Sequence, residues 1–191
     1  MLIGLTGLAG AGKDTVADIL VEKHGFIKLA FGTELKRVLS VMNPVIGMDI
    51  HSPGRMIHLN EALERFGEPG VKKVYPLYRK YLQKFGTEGI RSIDDMFWIK
   101  ATLKDVDARA RNYVITDVRF PNEAEVIGNL RGSLWQVERP GQEIIASFHG
   151  SESWAGKMGE DHLIYNSGSI DRLPVEVQYA LGMTYWKNRV A

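Results

Sequence analysis

One nine-residue stretch near the start constrains this chain more than any other: Gly7-Leu8-Ala9-Gly10-Ala11-Gly12-Lys13-Asp14-Thr15. An apolar run, Leu2 to Thr6, precedes it, and an amphipathic run, Val16 to Lys23, follows. Strand, glycine-rich loop and helix in that order make a phosphate cradle. Small residues such as Gly10, Ala11 and Gly12 let several backbone N–H groups point at phosphate oxygens, and the helix adds its positive end. The G-x-x-x-x-G-K spacing is complete, so Lys13 is expected to reach the β- and γ-phosphates of a nucleoside triphosphate. Where that pattern has Ser or Thr for Mg²⁺, this chain has Asp14, and Thr15 is the nearest hydroxyl.

The rest of the chain reads as a continuation of the same unit. Phe26 to Phe31 is a second short strand, completing a right-handed β-α-β crossover. A helix follows through Leu35, Val38, Leu39 and Met42. Residues 43–58, with Asn43-Pro44, Gly47 and Ser52-Pro53-Gly54, read as a loop. Asn60 opens a helix that ends near Gly67, Glu68-Pro69-Gly70 is a turn, and a further helix runs from Pro76 to Gly86. Ser92 to Asp95 resembles a capping box for a long helix over 96–110. Strands are expected at 113–116, 134–137 and 162–165, and a last helix begins at Asp171 or later because of Pro174. Tyr185 and Trp186 are expected to dock on the body. Five strands alternating with helices predict an α/β fold, a three-layer, doubly wound and mostly parallel five-stranded sheet of P-loop kinase type. The chain is expected to be a single domain. Its core spans 1–31, 94–138 and 161–191, with a helical acceptor-binding insertion at 32–93 and a lid-like segment at 139–160.

In such sheets ligands sit outside the carboxyl ends of the strands. Three of those ends carry charge: Lys13, Asp117 and Arg139. Lysine and arginine would neutralise a transferring phosphoryl group, and a carboxylate would hold Mg²⁺ directly or through water. Asp117 also suits a helix cap, and Arg139 a surface position before a Pro-Gly turn. Lys36 lies one turn past a strand end. In the insertion, Arg79, Lys80 and Arg91 suit an anionic acceptor, and Gln83 lies one helical turn after Arg79. No Asn-Lys-x-Asp guanine-selecting element is present. A long insertion plus a polar, glycine-containing segment around His149, Ser151 and Glu152 fits a small-molecule kinase that closes to exclude water. A dephospho-coenzyme A kinase and a non-kinase ATP-binding regulator are the competing readings. The net charge of +1 and the lack of a basic run with interleaved aromatics argue against a nucleic-acid partner. No apolar run approaches the roughly 20 residues of a membrane span. The absence of cysteine fits a reducing cytoplasm.

Six ordered elements resemble the bacteriophage deoxynucleoside monophosphate kinases. They are the loop ending Gly-Lys-Asp-Thr, and Leu82 to Glu88 followed by Asp94 and Phe97-Trp98. Asp117-Val118-Arg119 with Glu123, Val137 to Gly141, His149 to Glu152, and Asn166 to Ser169 complete the set. The resemblance implies transfer of the ATP γ-phosphate to a deoxynucleoside 5′-monophosphate, with Mg²⁺ as cofactor and small-molecule nucleotides as partners. It places Lys13 and Thr15 on the ATP phosphates, and Asn166 and Ser169 near the adenine. Arg79 would hold the acceptor phosphate, Gln83 would face the acceptor base, and Arg139 would stabilise the transferring group. Thr87, Trp98 and Arg119 fall within matched elements on the acceptor side. The family shares Asp14, so Asp14 or Asp117 is expected to hold the metal through water. A homodimer is a further possibility left open, with Tyr185 and Trp186 as interface candidates.

Overall fold

The computed structural model describes residues 1–141, 154–168 and 171–190. In chain order the elements are β1 (Leu2–Thr6), α1 (Lys13–His24), β2 (Ile27–Leu29), α2 (Gly32–Met42), β3 (Val45–Met48), β4 (Met56–His58), α3 (Leu59–Val74), α4 (Pro76–Gln83), a π-helical segment (Lys84–Ile90), α5 (Arg91–Ile93), α6 (Phe97–Leu103), β5 (Tyr113–Ile115), α7 (Pro121–Asn129), β6 (Ser133–Glu138), β7 (His162–Tyr165) and α8 (Leu173–Val190). They fall into two units, Met1–Ala30 with Asp105–Ala191, and Phe31–Lys104.

The first unit is built on a five-stranded sheet in the order β2-β5-β1-β6-β7, with every pairing parallel. All five residues of the central β1 are buried, which explains its uninterrupted apolar sequence. Alternation along β1 sorts the layers. Ile3 and Leu5 pack with Val16 and Leu20 of α1 and with Val177 and Ala180 of α8. Gly4 faces the other way, where a Cβ would come 2.5 Å from Ile127 Cδ1 of α7. Fully buried Trp135 on β6 satisfies its indole by donating to Thr184 Oγ1 of α8 at 3.1 Å. α8 docks through Leu173, Val177, Ala180 and Leu181; of the tail from Met183, expected to dock on the body, Thr184 is buried, whereas Met183, Tyr185 and Trp186 lie outward, 46%, 57% and 70% exposed. The parallel pairing puts the residues following β1, β5, β6 and β7 at one edge of the sheet. A larger, open hollow of about 1320 Å³ lies at the opposite, amino ends, lined by residues such as Met1, Asn112, Gly132 and Asp161. It holds none of the predicted site residues.

The second unit is mostly helical but contains strands where a loop was expected. β3 and β4 pair antiparallel across Val45↔His58, Gly47↔Ile57 and Met48↔Met56, with a bulge between Val45 and Gly47. Ile46 and Ile57 are buried with Leu39, Leu59, Tyr75 and Tyr78. The hairpin is closed by charge. Asp49, its side chain 1% exposed, accepts from Arg55 at 2.9 Å and from Arg65 at 2.8 Å, and also takes the His51 N–H at 2.9 Å. These donors, Arg65 foremost, hold the Asp49 carboxyl far below the usual aspartate range. Gly67, at φ 63 and ψ 167, kinks α3, and Pro69 stands in the turn where the helix restarts. The expected long helix over 96–110 ends at Leu103, because Asp107 accepts the N–H groups of Arg109 at 3.0 Å and Ala110 at 3.3 Å and diverts the backbone into turns. It starts differently too: Asp94 takes the Met96 N–H at 3.0 Å, in place of a Ser92 box.

Candidate active site

The loop between β1 and α1 has the backbone of an anion cradle. Gly7, Gly10 and Gly12 stand at φ 135, 81 and 106, conformations that L side chains rarely adopt. Gly12 caps the amino end of α1 without a side chain, so no capping side chain competes with a ligand for that helix end. Lys13 Nζ donates to the carbonyls of Gly7 at 2.7 Å and Leu8 at 2.8 Å, folding the lysine across the loop. Thr15 is half-buried in the first turn of α1.

Neighbouring strands bring further groups to this edge. The Val118 N–H donates to Leu5 O at 3.1 Å, tying the residue after Asp117 to the end of β1. Buried Glu123 accepts the N–H groups of Arg119 at 2.7 Å and Phe120 at 3.1 Å and so fixes the turn that carries Arg119. Lys13 and Arg119 line one small cleft of about 30 Å³ with Thr6, Gly7, Ala9, Val118 and Ala155. Arg139 is exposed, one residue beyond β6. Asn166, expected near the adenine, reaches back to the loop: its Nδ2 donates to Ala11 O at 2.9 Å. Ser169 and residues 142–153 of the expected lid lie outside the described residues.

Of the two carboxylates expected to hold a metal, Asp14 is turned elsewhere. Its side chain is 81% exposed and pairs with Lys28 at 3.0 Å, and Lys28 also holds Asp18. Burial lowers the Lys28 pKa, but these two carboxylates outweigh it and raise it overall. Sequence reading missed Lys28. Asp117 is half-buried. Among the described residues no group of three His, Asp or Glu side chains forms a ready-made metal site. That donor set fits Mg²⁺, a hard cation that usually keeps waters and arrives on substrate phosphates with one or two protein oxygens.

In the second unit the predicted acceptor cations already have partners. Lys36 meets Glu68 at 2.9 Å, and Lys72 meets the same carboxylate at 2.7 Å. Burial works against the Glu68 charge, but Lys72 and Lys36 prevail and lower its pKa. Burial and that nearby charge push the Tyr78 hydroxyl up to about 12. Arg79 Nε donates to Lys72 O at 3.0 Å. Lys36 and Lys72 thus share one carboxylate, and Arg79 is tied to the main chain of Lys72, a net-positive group of side chains. The spacing of Glu68 and Lys72 at i and i+4 was the signal that could have revealed it. Gln83 ends α4, exposed Thr87 lies in the π-helical segment, and half-buried Arg91 begins α5. Trp98, expected on the acceptor side, has a structural partner of its own. It is 4% exposed, and its indole N–H donates to Gly86 O at 3.0 Å, so it braces the π-helical segment from inside the core.

Comparison with known proteins fits this arrangement. The sequence profile of a family described as deoxynucleotide monophosphate kinase matches residues 72–177. A protein of Acanthamoeba polyphaga mimivirus assigned as a deoxynucleotide monophosphate kinase is 31% identical over 154 residues, covering 74% of this chain and 75% of that one. The crystal structure of shikimate kinase from Aquifex aeolicus shares the fold at a TM-score of 0.52, with 14% identity over 97% of this chain and 99% of that one. No helix among the described residues is long and apolar enough to cross a membrane.

Proposed function

The chain belongs to the deoxynucleotide monophosphate kinase family, and from that premise we propose how its residues divide the work. It is an ATP-dependent phosphotransferase that passes the γ-phosphate to a deoxynucleoside monophosphate, giving the diphosphate and ADP.

The ATP phosphates lie in the Gly7–Thr15 loop, on backbone N–H groups and the amino end of α1. Lys13 leaves the Gly7 and Leu8 carbonyls and moves to the β- and γ-phosphates. Arg119 and Arg139 stand by the γ-phosphate and neutralise it during transfer. Lys36, Arg79 and Arg91 take the acceptor phosphate, while Gln83 and Thr87 face its base and sugar. Trp98 supports them through Gly86. Mg²⁺, when bound, would supply charge neutralisation to the triphosphate, and Thr15 and Asp117 would hold it through water. The acceptor phosphate oxygen attacks the γ-phosphorus as the bond to the ADP oxygen breaks, with no covalent intermediate. No general base is needed, because a phosphate oxygen is already a competent nucleophile at neutral pH, and catalysis is positioning and charge neutralisation. The cytoplasm, where both nucleotides are held, is taken as its place of action.

One observation carries this reading: three positive-φ glycines and Lys13 folded over the same loop at the amino end of a 12-residue helix. The test is ADP release with ATP, Mg²⁺ and a panel of acceptors. Turnover is expected with one or more deoxynucleoside monophosphates and not with dephospho-coenzyme A. ADP release at the same rate without any acceptor would overturn it.

A further inference from the structure

Asn166 lies 155 residues from the loop it touches. Its backbone N–H donates to Glu138 O at 2.8 Å, fastening the end of β7 to the end of β6. Its side chain crosses in the other direction to Ala11 O. Only the amide nitrogen can face a carbonyl at that distance, so the donor assignment is fixed by chemistry. Gly12 makes the room: a Cβ there would come 2.4 Å from Asn166 Nδ2.

A planar trans peptide points its C=O and N–H in opposite directions. Holding Ala11 O towards Asn166 therefore turns the Gly12 N–H to the far side of that peptide. We propose that Asn166 is a positioning residue that sets the Ala11–Gly12 peptide so that the Gly12 N–H is presented to the triphosphate before it arrives. The inference rests on the reading of this loop as the ATP phosphate site. It gives Asn166 a role in recognising the phosphate tail, whatever base that tail carries. Because the backbone N–H of Asn166 is also bonded to the residue before Arg139, one residue links the loop, through its side chain, to the strand end that carries that arginine, through its main chain.

The experiment measures dissociation constants of ATP, GTP and inorganic tripolyphosphate for the full chain and for the Asn166→Ala, Asn166→Asp and Lys13→Ala variants. Amide spectra of the ligand-free proteins and their Tm values accompany the titrations. Loss of one hydrogen bond predicts that Asn166→Ala weakens all three ligands alike, by roughly tenfold. The Gly12 amide resonance shifts without ligand, and KM for the deoxynucleoside monophosphate stays where it was. Asn166→Asp, equal in volume but lacking the donor, binds at least as weakly as Asn166→Ala. Weakened ATP with unchanged tripolyphosphate would assign Asn166 to the base and overturn the proposal. So would unchanged binding of all three, or an unmoved Gly12 resonance. A wild-type protein whose ATP affinity is unaffected by Lys13→Ala would overturn the underlying reading of the loop instead.

Discussion

The two units present their positive groups by different means. The first builds its cradle from backbone: three glycines in left-handed conformations, a helix end, and a lysine tied to its own loop. The second gathers side-chain cations around an internal carboxylate, with Lys36 and Lys72 on Glu68 and Arg79 on a main-chain carbonyl. A backbone cradle has its geometry before ligand arrives. A side-chain cluster must exchange partners when it binds, since Glu68 already occupies the cations. Substitutions in the first unit should therefore act on the chemical step, and those in the second on acceptor affinity.

The largest effect expected is that of Lys13→Ala. A preorganised cation aimed at developing charge is worth about 10²- to 10³-fold in kcat. Steady-state kinetics should show that loss with little change in Tm, because Gly7 and Leu8, whose carbonyls the lysine vacates, are only half-buried. A change confined to KM would break the contrast between the units. Next comes Arg79→Ala. Losing a charged hydrogen bond to phosphate predicts a rise of roughly 10- to 100-fold in KM for the deoxynucleoside monophosphate, with KM for ATP unchanged. If both constants rose together, the division of labour would fail.

Contiguity decided how much could be read beforehand. The cradle was legible because nine adjacent residues encode its turns, its helix end and its lysine. The central strands β1, β5 and β6 were legible because burial on both faces makes each one a short apolar run, and the outer β2 and β7 because short apolar-containing runs recur between helical patterns. The β3–β4 hairpin was not. Ile46 and Ile57 are isolated buried positions among turn residues, and the pairing depends on Asp49 meeting Arg65, 16 residues away. The Lys36–Glu68 pair and the Asn166–Ala11 bond span 32 and 155 residues, separations at which one sequence carries no periodic signal.

That buried aspartate makes the second unit sensitive to acid. Asp49 binds a proton less readily in the folded chain than in the unfolded one, whose value is near 3.8. Its contribution is thus complete above about pH 4 and fades as pH falls below that value. Thermal melts of the wild type should lose stability over that acid range. In Asp49→Asn the drop should be smaller and the Tm at neutral pH lower. Parallel acid curves for the two proteins would show that the hairpin does not rely on this carboxylate.

The smallest effect expected concerns Trp98, and it separates support from contact. Trp98→Phe keeps an aromatic ring but removes the donor to Gly86 O and leaves that carbonyl buried without its partner. The cost is about 1–3 kcal/mol, a fall of roughly 2–10 °C in Tm for a chain of this size. The π-helical segment it braces also holds Thr87, so some loosening there is expected, but KM for the acceptor should stay within about twofold, since the indole itself is 4% exposed. A tenfold rise in that KM with an unchanged Tm would mean that the ring touches substrate and that the second unit opens far more on binding than its packing implies.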